Sequence, residues 1–196
     1  MPSAPATSET HSRLPDRLLR TFFAAWPDAG VCTTLAAHAR DIAAKTEGRA
    51  PVAANLHLTL AFVGDVAASR VAALYAIGGV AAAAGSPFTL TLDCGGMFRA
   101  VGIAWIGASV SPERLQRLVD GLGVGLSVQG FAIERRAFLP HITLARRCRR
   151  PGDFAVATPI RWTIARIALY ASESTPDGSR YRELAAWPLE GRVTAD

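Results

Sequence analysis

The chain has 196 residues, half of them apolar and 19% charged, which is enough to bury a core as one compact domain or two small lobes. Its formal net charge is +5, and Lys45 is the only lysine among 21 basic residues, so the surplus favours the bidentate phosphate or carboxylate contacts that arginine makes. Three widely spaced cysteines indicate neither a disulfide framework nor a four-ligand zinc site, and we expect reduced thiols in a cytoplasmic protein.

The N-terminal half is predicted to alternate strands and helices. Residues 1–16 are rich in serine, threonine, alanine and proline and lack the apolar stretch of a signal peptide, so we interpret them as a disordered tail. Arg17–Trp26 predicts a strand, and Ala29–Thr46 predicts an amphipathic helix. Asn55–Val63 alternates apolar with small polar residues and predicts a half-buried strand, followed by a helix over Val66–Ala84.

The segment Val71–Leu92 carries no charged residue over 22 positions, about the length that spans a bilayer. It is mostly alanine and glycine, however, and Ser86-Pro87 interrupts it. Only about 14 residues could form one continuous helix, which is too short to span. We therefore expect no membrane association and interpret the segment as a buried helix that leads into a strand.

The C-terminal half is predicted to be richer in strands. A helix is expected to begin at Ser111-Pro112-Glu113, with the serine as its cap, and to run to about Leu126. The predicted strands are Phe88–Leu92, Ile103–Ile106, His141–Arg146, Trp162–Tyr170 and Tyr181–Leu189, the last two separated by a turn at Thr175–Gly178. Few helices and many half-polar strands indicate an α+β fold with antiparallel sheets.

The chain contains two nearly identical pentapeptides. His57-Leu58-Thr59-Leu60-Ala61 and His141-Ile142-Thr143-Leu144-Ala145 begin 84 positions apart, and they use two of only four histidines. A single His-x-Thr on a strand is usually a half-buried polar pair with satisfied hydrogen bonds. Two matching copies instead indicate a duplicated functional element.

The spacing of each pentapeptide places its histidine and its threonine on one face of a strand. An imidazole can accept or donate a proton near neutral pH, and a threonine hydroxyl can donate a hydrogen bond to an anionic oxygen. Two such pairs across a groove would supply one base, one acid and two hydroxyl donors. That set suits in-line displacement at a phosphodiester.

A metal site is a poorer interpretation of the same residues. The two motifs bring only two good ligands, with no carboxylate or thiol at ligand spacing. Asp65 and Asp93 remain possible ligands without support from their spacing. We expect no metal and no other cofactor.

The sequence resembles the two-histidine phosphoesterases, and within them the bacterial and archaeal RNA 2′,3′-cyclic phosphodiesterases once described as 2′-5′ RNA ligases. The resemblance covers about residues 17 to 190. It is carried by Arg20–Pro27, Asn55–Gly64, Arg136–Arg146, Arg180-Tyr181 and Trp187-Pro188-Leu189. It implies a two-lobed fold with pseudo-twofold symmetry over residues 17–196, in which each lobe is an antiparallel sheet backed by helices and a central cleft lies between them.

The resemblance also implies metal-independent hydrolysis of a 2′,3′-cyclic phosphate at an RNA 3′ end to a 2′-phosphate, with 2′-5′ joining as a side activity. In family terms His57 is the proton donor to the leaving 3′ oxygen, and His141 is the base that activates water. Thr59 and Thr143 would hold phosphate oxygens. Further candidates are Arg146 as a phosphate clamp, if the strand ends or twists before it, Phe138 as a base-stacking ring and, more weakly, Trp105.

Two other functions remain open from the sequence. The fold could serve as a non-catalytic RNA 3′-end binding module that grips phosphates through the arginine-rich segment between Arg135 and Arg150, where six basic residues flank His141. Alternatively, the same chemistry could act on a small cyclic-phosphate nucleotide. We expect an RNA end or a related nucleotide as partner, and a monomeric protein.

Overall fold

The computed structural model describes residues 16–134, 136–152, 154–175 and 178–191, which form an α+β fold. Its helices and strands are β1 (Leu18–Ala25), α1 (Ala29–Thr46), β2 (Leu58–Ala67), α2 (Val71–Ala84), β3 (Phe88–Phe98), β4 (Ile103–Gly107), α3 (Glu113–Val128), β5 (His141–Ala145), β6 (Ala155–Ile164), β7 (Arg166–Thr175) and β8 (Gly178–Pro188). The strands form one sheet in the order β6-β3-β4-β5-β2-β1-β7-β8. Residues 1–15 of the predicted tail lie outside the described residues.

The sheet consists of two antiparallel four-stranded halves that meet edge to edge. One half is β6-β3-β4-β5 and the other is β2-β1-β7-β8. They are joined where Leu58 of β2 pairs with Ile142 of β5, and both side chains are fully buried. The predicted α+β class with antiparallel sheets is confirmed, and the two halves form a continuous sheet.

The helices tie the two halves together. The segments β1-α1-β2 and β4-α3-β5 have the same order of elements, as expected for a pseudo-twofold arrangement. Helix α1 connects two strands of one half but packs against β5 and β6 of the other. Helix α3 likewise leaves its own half to pack against β2 and α2, while α2 covers β7 and β8. Because each crossover helix buries its apolar side on the opposite half, neither half has a complete core alone.

Apolar side chains occupy both faces of the half-sheet β2-β1-β7-β8. The main core lies under the helices and includes Leu58, Ile142 and the inward residues of all three helices. A smaller cluster on the other face consists of Phe22, Ala24, Ala168 and Tyr170, with Trp26, Tyr181 and Ala186 packed against it. This second cluster borders the open face of the sheet, where a functional site can reach solvent.

The predicted strand Trp162–Tyr170 is wrong as a single element. The structure divides this segment at Ala165 into the end of β6 and the start of β7. Strand β6 pairs with β3 at one edge of the sheet, whereas β7 pairs with β1 in the other half. The apolar periodicity is the same for strands in either half of the sheet, so the sequence does not show where the chain leaves one half for the other. Only the strands with which β6 and β7 pair reveal this point.

The start of α3 also differs from the expectation. Ser111 makes no capping hydrogen bond, and its Oγ is buried without a partner among the described residues. Instead, the Asp93 carboxylate of β3 accepts hydrogen bonds from the backbone N–H and the hydroxyl of Ser109, at 2.8 and 2.6 Å. A side chain from another strand therefore fixes the approach to the helix, and these hydrogen bonds lower the pKa of Asp93.

The uncharged segment that begins at Val71 forms a helix followed by a strand, as its composition indicates. Helix α2 ends at Ala84 after 14 residues, and the chain re-enters the sheet as β3 at Phe88. Strand β2 runs on to Ala67, so α2 begins five residues later than predicted. None of the described helices is long and apolar enough to cross a bilayer.

Helix glycines provide a test of this packing. An added Cβ at Gly78 of α2 would lie 2.5 Å from the Trp187 ring of β8, whereas one at Gly121 of α3 would meet nothing within 4 Å. We expect Gly78→Ala to lower the free energy of unfolding by roughly 1–3 kcal/mol. The matched variant Gly121→Ala should raise it by up to about 1 kcal/mol, because alanine is the better helix former. Urea denaturation measures both, and equal stability of the two variants would contradict the packing of α2 on β8.

Candidate active site

The register between β2 and β5 brings the two pentapeptides together. Leu58 and Ile142, which pair across the two halves, each lie between the histidine and the threonine of their own motif. Antiparallel pairing at this point puts each histidine opposite the threonine of the other motif, on the face turned away from the helices. The side chains of His57, Thr59, His141 and Thr143 all line one cleft on this face.

The cleft has a volume of about 1030 Å³, at the upper end of the range for small-molecule sites. The described residues that line it include no carboxylate. They do include five arginines, which are Arg20, Arg49, Arg146, Arg147 and Arg180. Positive charge in a concave site raises the local concentration of anions, so the cleft suits a phosphate-bearing ligand.

Both histidines are held in the same way. Nδ1 of His57 lies 2.8 Å from the carbonyl oxygen of Asn55, and Nδ1 of His141 lies 2.8 Å from that of Leu139. A carbonyl oxygen only accepts hydrogen bonds, so Nδ1 carries the hydrogen in each ring. Nε2 is then the nitrogen left for a ligand, as an acceptor in the neutral ring or as a donor in the charged one.

Burial makes both imidazoles harder to protonate. Loss of solvent lowers the pKa of His57 to about 4, and it also lowers the pKa of His141. The positive charge of Arg146 acts in the same direction on both rings. The unliganded cleft therefore holds two neutral histidines at neutral pH. An anion bound between them would raise both pKa values, because negative charge stabilises an imidazolium.

Aromatic rings enclose His57. The indole of Trp26 stacks on the imidazole with ring centroids 4.5 Å apart and an interplanar angle of 12°, and Tyr181 meets its edge at 5.1 Å. Trp26 is itself held, because its Nε1–H donates to the carbonyl oxygen of Ala54 at 2.9 Å. These contacts exclude water from His57 and restrict the rotation of its ring.

A hydrogen-bond network lies behind this aromatic group. The Tyr170 ring packs against Trp26 at a centroid distance of 4.0 Å, and its hydroxyl donates to Glu183 at 2.8 Å. Arg166 donates to the other oxygen of the same carboxylate. Burial and the nearby carboxylate raise the pKa of Tyr170 well above its usual value, so the phenol stays a neutral donor. The network supports the indole that contacts His57.

His141 has a more open aromatic environment. Phe98 of β3 meets its ring edge-on at 5.1 Å, and Trp105 of β4 does so at 6.3 Å. Phe98 lines the cleft, whereas Trp105 lies behind it with its Nε1 buried and unpartnered among the described residues. The two motifs thus share backbone geometry and differ in the rings around them.

The end of β5 turns Arg146 into the cleft. Trp105 pairs with Thr143 and Ala104 with Ala145, so Leu144 is an extra residue in a bulge. Strict alternation from His141 would place Arg146 on the helix side, but the bulge and the end of the strand at Ala145 reverse this. Arg146 then exchanges backbone hydrogen bonds of 2.8 and 2.9 Å with Arg49. Its side chain lines the same cleft as both histidines.

Phe138 does not lie with the other predicted site residues. It is half-buried, packs against the main core and is not among the described residues that line the cleft. Its base-stacking role stays a prediction, and the aromatic residues in the cleft wall are others. They are Phe22, Phe62, Phe98 and Tyr181.

The fold brings into the site several residues to which the sequence pattern assigns no role. Arg20 and Arg180 stand on opposite sides of the motifs in the sequence, yet both line the cleft with Arg49. Their common signal in the sequence is a basic residue within a half-polar strand or beside a motif, which is too general to select them. As for a metal, no group of three His, Cys, Asp or Glu among the described residues lies close enough to hold an ion.

Comparison with known proteins identifies the family. The family model for LigT-like phosphoesterases matches residues 27–105. The chain is 37% identical over 147 residues to the RNA 2′,3′-cyclic phosphodiesterase of Escherichia coli, covering 72% of this chain and 80% of that protein. The chain belongs to the LigT-like phosphoesterase family. The residues matched by the family model include the first His-x-Thr motif, His57-Leu58-Thr59.

Solved structures of similar proteins have the same fold. A crystal structure of Escherichia coli LigT complexed with 3′-AMP superposes with a TM-score of 0.76 at 31% identity, covering 89% of this chain and all of that one. A crystal structure of a Thermus thermophilus protein gives a TM-score of 0.76 at 27% identity, covering 88% of this chain and 99% of that one. Both matches extend over both halves of the sheet.

The aromatic rings around His57 predict that opening this enclosure raises the pKa of the imidazole. In a Trp26→Leu variant water should reach the imidazole, and the pKa of His57 should rise from about 4 towards its ordinary value of 6.5. NMR titration of the ring nitrogens measures this change, and the His141 signal distinguishes a local effect from unfolding. A His57 pKa that stays near 4 in the variant would show that other neighbours exclude the water.

Proposed function

We propose that this protein hydrolyses the 2′,3′-cyclic phosphate at an RNA 3′ end to a 2′-phosphate. The observation that carries the proposal is the pair of histidines on adjoining strands, each with Nδ1 hydrogen-bonded to a backbone carbonyl and Nε2 left for a ligand in one cleft. The arginine-lined cleft supports an anionic substrate. The name of the Escherichia coli relative supports the choice of a cyclic phosphate in RNA.

In the proposed reaction His141 acts as the general base and His57 as the general acid. Nε2 of His141 takes a proton from water while the water oxygen forms a bond to phosphorus. The bond between phosphorus and the 3′ oxygen breaks, and Nε2 of His57 gives that oxygen its proton. The pseudo-twofold geometry makes the two rings nearly equivalent, so the order of acid and base rests on the resemblance to the family.

Three side chains are proposed to hold the phosphate. Each histidine lies opposite the threonine of the other motif, so the hydroxyls of Thr59 and Thr143 can donate to the two non-bridging oxygens of a phosphate centred between the strands. Arg146 adds a fixed positive charge from the end of β5. These donors should matter most as negative charge builds up on the pentacoordinate transition state.

Phosphate binding also makes the proposed acid possible. The pKa of about 4 leaves His57 uncharged in the free enzyme at neutral pH. A phosphate anion between the motifs would raise that pKa and draw a proton onto Nε2. The substrate would thereby charge the group that protonates its own leaving oxygen.

The reaction is proposed to need no metal or other cofactor, since two imidazoles, two hydroxyls and an arginine supply proton transfer and charge stabilisation. With a 5′-hydroxyl of RNA in place of water, the same groups would join ends through a 2′-5′ linkage as a side activity. The protein is proposed to act as a cytoplasmic monomer, consistent with three free cysteines.

Alanine substitutions test the proposal. His57→Ala and His141→Ala should each lower turnover of a cyclic-phosphate-ended oligoribonucleotide by roughly 100-fold or more, because each removes one proton transfer. Chromatography of the products should show a 2′-phosphate. The matched control is His38→Ala, which removes a histidine of α1 outside the cleft and should keep full activity.

Three outcomes would contradict specific parts of the proposal. More than a few per cent of wild-type turnover in either cleft variant would reject the two-imidazole mechanism. A 3′-phosphate product would reject His57 as the donor to the 3′ oxygen while leaving the pair intact. Loss of activity in EDTA that a divalent ion restores would reject the metal-independent reaction.

The lowered pKa values predict an acidic pH optimum for kcat/KM. This quantity reports the ionisations of the free enzyme, in which the reactive form has His57 charged and His141 neutral. Because burial lowers both pKa values, the bell-shaped profile should have its maximum below pH 6.5. The kcat profile, which reports the substrate complex, should peak at higher pH. A kcat/KM maximum above about pH 7 would contradict the proposed electrostatics of the free cleft.

A further inference from the structure

An exposed phenylalanine lies in the wall of the cleft, away from the phosphate-binding motifs. Phe62 of β2 is 45% exposed, and its ring lines the same cleft as His57. A large apolar side chain in a strand of a half-buried sheet normally packs into the core. The exposure of Phe62 within a concave, arginine-lined site therefore indicates that the ring contacts a ligand.

Irregular pairing between β1 and β2 puts the ring there. Strict alternation would place Phe62 with Leu58 and Leu60 on the helix side of the sheet. The register, however, pairs Ala24 with Thr59 and Phe23 with Ala61, and it shifts a second time beyond Phe22. Leu60 and Val63 are the extra residues of β2, and both stay buried. These bulges turn Phe62 towards the cleft, as bulges do beside many functional sites.

A guanidinium group covers the Phe62 ring. The Cζ atom of Arg20, on neighbouring strand β1, lies 5.0 Å from the ring centroid. Arg20 makes no ion pair with any described residue, and its side chain lines the cleft. An aromatic ring and a planar guanidinium are both groups on which nucleobases stack, and the arginine can also contact a phosphate.

The position of Phe62 breaks the symmetry of the two halves. It is the fifth residue after His57, and the fifth residue after His141 is Arg146. One side of the phosphate site therefore ends in a positive charge and the other in a stacking surface. Phe62 follows His57 by five residues, which separates their Cα atoms by at most about 16 Å at about 3.3 Å per residue, and the bulge at Leu60 shortens this distance. This separation favours a base beyond the reacting nucleotide.

We propose that Phe62 and Arg20 form a stacking platform for the nucleobase on the 5′ side of the reacting nucleotide. The platform would make single-stranded RNA a better ligand than a cyclic mononucleotide, without reading its sequence, because every base has a π face. This inference rests on the proposed function, since it places the cyclic end between the two histidines. It also separates two substrates, an RNA end and a small nucleotide, that the sequence left open.

Binding of unreactive products tests the platform without turnover. The probes are a trinucleotide that ends in a 2′-phosphate and the matching nucleoside 2′-phosphate, each titrated calorimetrically into the full chain. The wild type should bind the trinucleotide more tightly. Phe62→Leu should reduce this preference by roughly 5- to 100-fold, the range for loss of one base–aromatic stack. Arg20→Lys keeps the charge and removes the plane, so it should also reduce the preference.

Two further variants provide the controls. Phe62→Trp restores a stacking surface and should recover the preference for the trinucleotide. Tyr75→Leu removes a similarly exposed aromatic ring from α2, outside the cleft, and should leave both dissociation constants unchanged. Circular dichroism of each variant establishes that the fold is retained.

A wild-type protein that binds both probes equally would overturn the platform, as would a Phe62→Leu variant with the wild-type preference. Equal weakening of both probes would place the stack under the terminal base and would also overturn the proposal. Turnover of a cyclic-ended trinucleotide by the wild type, measured separately, tests the proposed function. Turnover without a trinucleotide preference would reject the platform alone.

Discussion

The pairing of Leu58 with Ile142 is the constraint on which the site depends. This pair joins the two half-sheets, and its side chains are fully buried beneath the helices. Because side chains alternate along a strand, burying these two residues forces their neighbours onto the opposite face. A slip of one residue would bury both histidines in the core and leave two large apolar side chains in the cleft. The hydrophobic core thus sets the register of the two His-x-Thr motifs.

Burial creates an electrostatic conflict that the proposed reaction would use. Trp26 and Tyr181 exclude water from His57, and its pKa falls to about 4. A histidine that acts as a general acid has to be protonated and therefore charged, whereas a pKa of about 4 leaves His57 neutral at neutral pH. In the proposed reaction the arginines of the cleft would attract the phosphate, and the bound phosphate would raise the pKa of His57 and restore its charge. Protonation of His57 would then depend on the presence of substrate.

The pseudo-twofold arrangement extends to the backbone of both motifs but not to their surroundings. Each Nδ1 donates to the carbonyl oxygen two residues earlier, so the two strands orient their rings alike. The rings around His57 are closer than those around His141, and the residues five positions after the histidines are Phe62 and Arg146. Two symmetric motifs with different neighbouring residues can bind a phosphate between them and still fix the direction in which the attached nucleotide chain runs.

The sequence by itself determined the α+β class, the bounds of α1 and the two His-x-Thr motifs, because periodicity and repetition are local properties of the chain. It could not separate β6 from β7 or turn Phe62 and Arg146 into the cleft, because strand crossovers and bulges depend on the partner strand. Arg20, Trp26 and Arg180 likewise meet the motifs only after the sheet forms. Local pattern decided which residues are proposed to carry the chemistry, and long-range strand pairing decided what surrounds them.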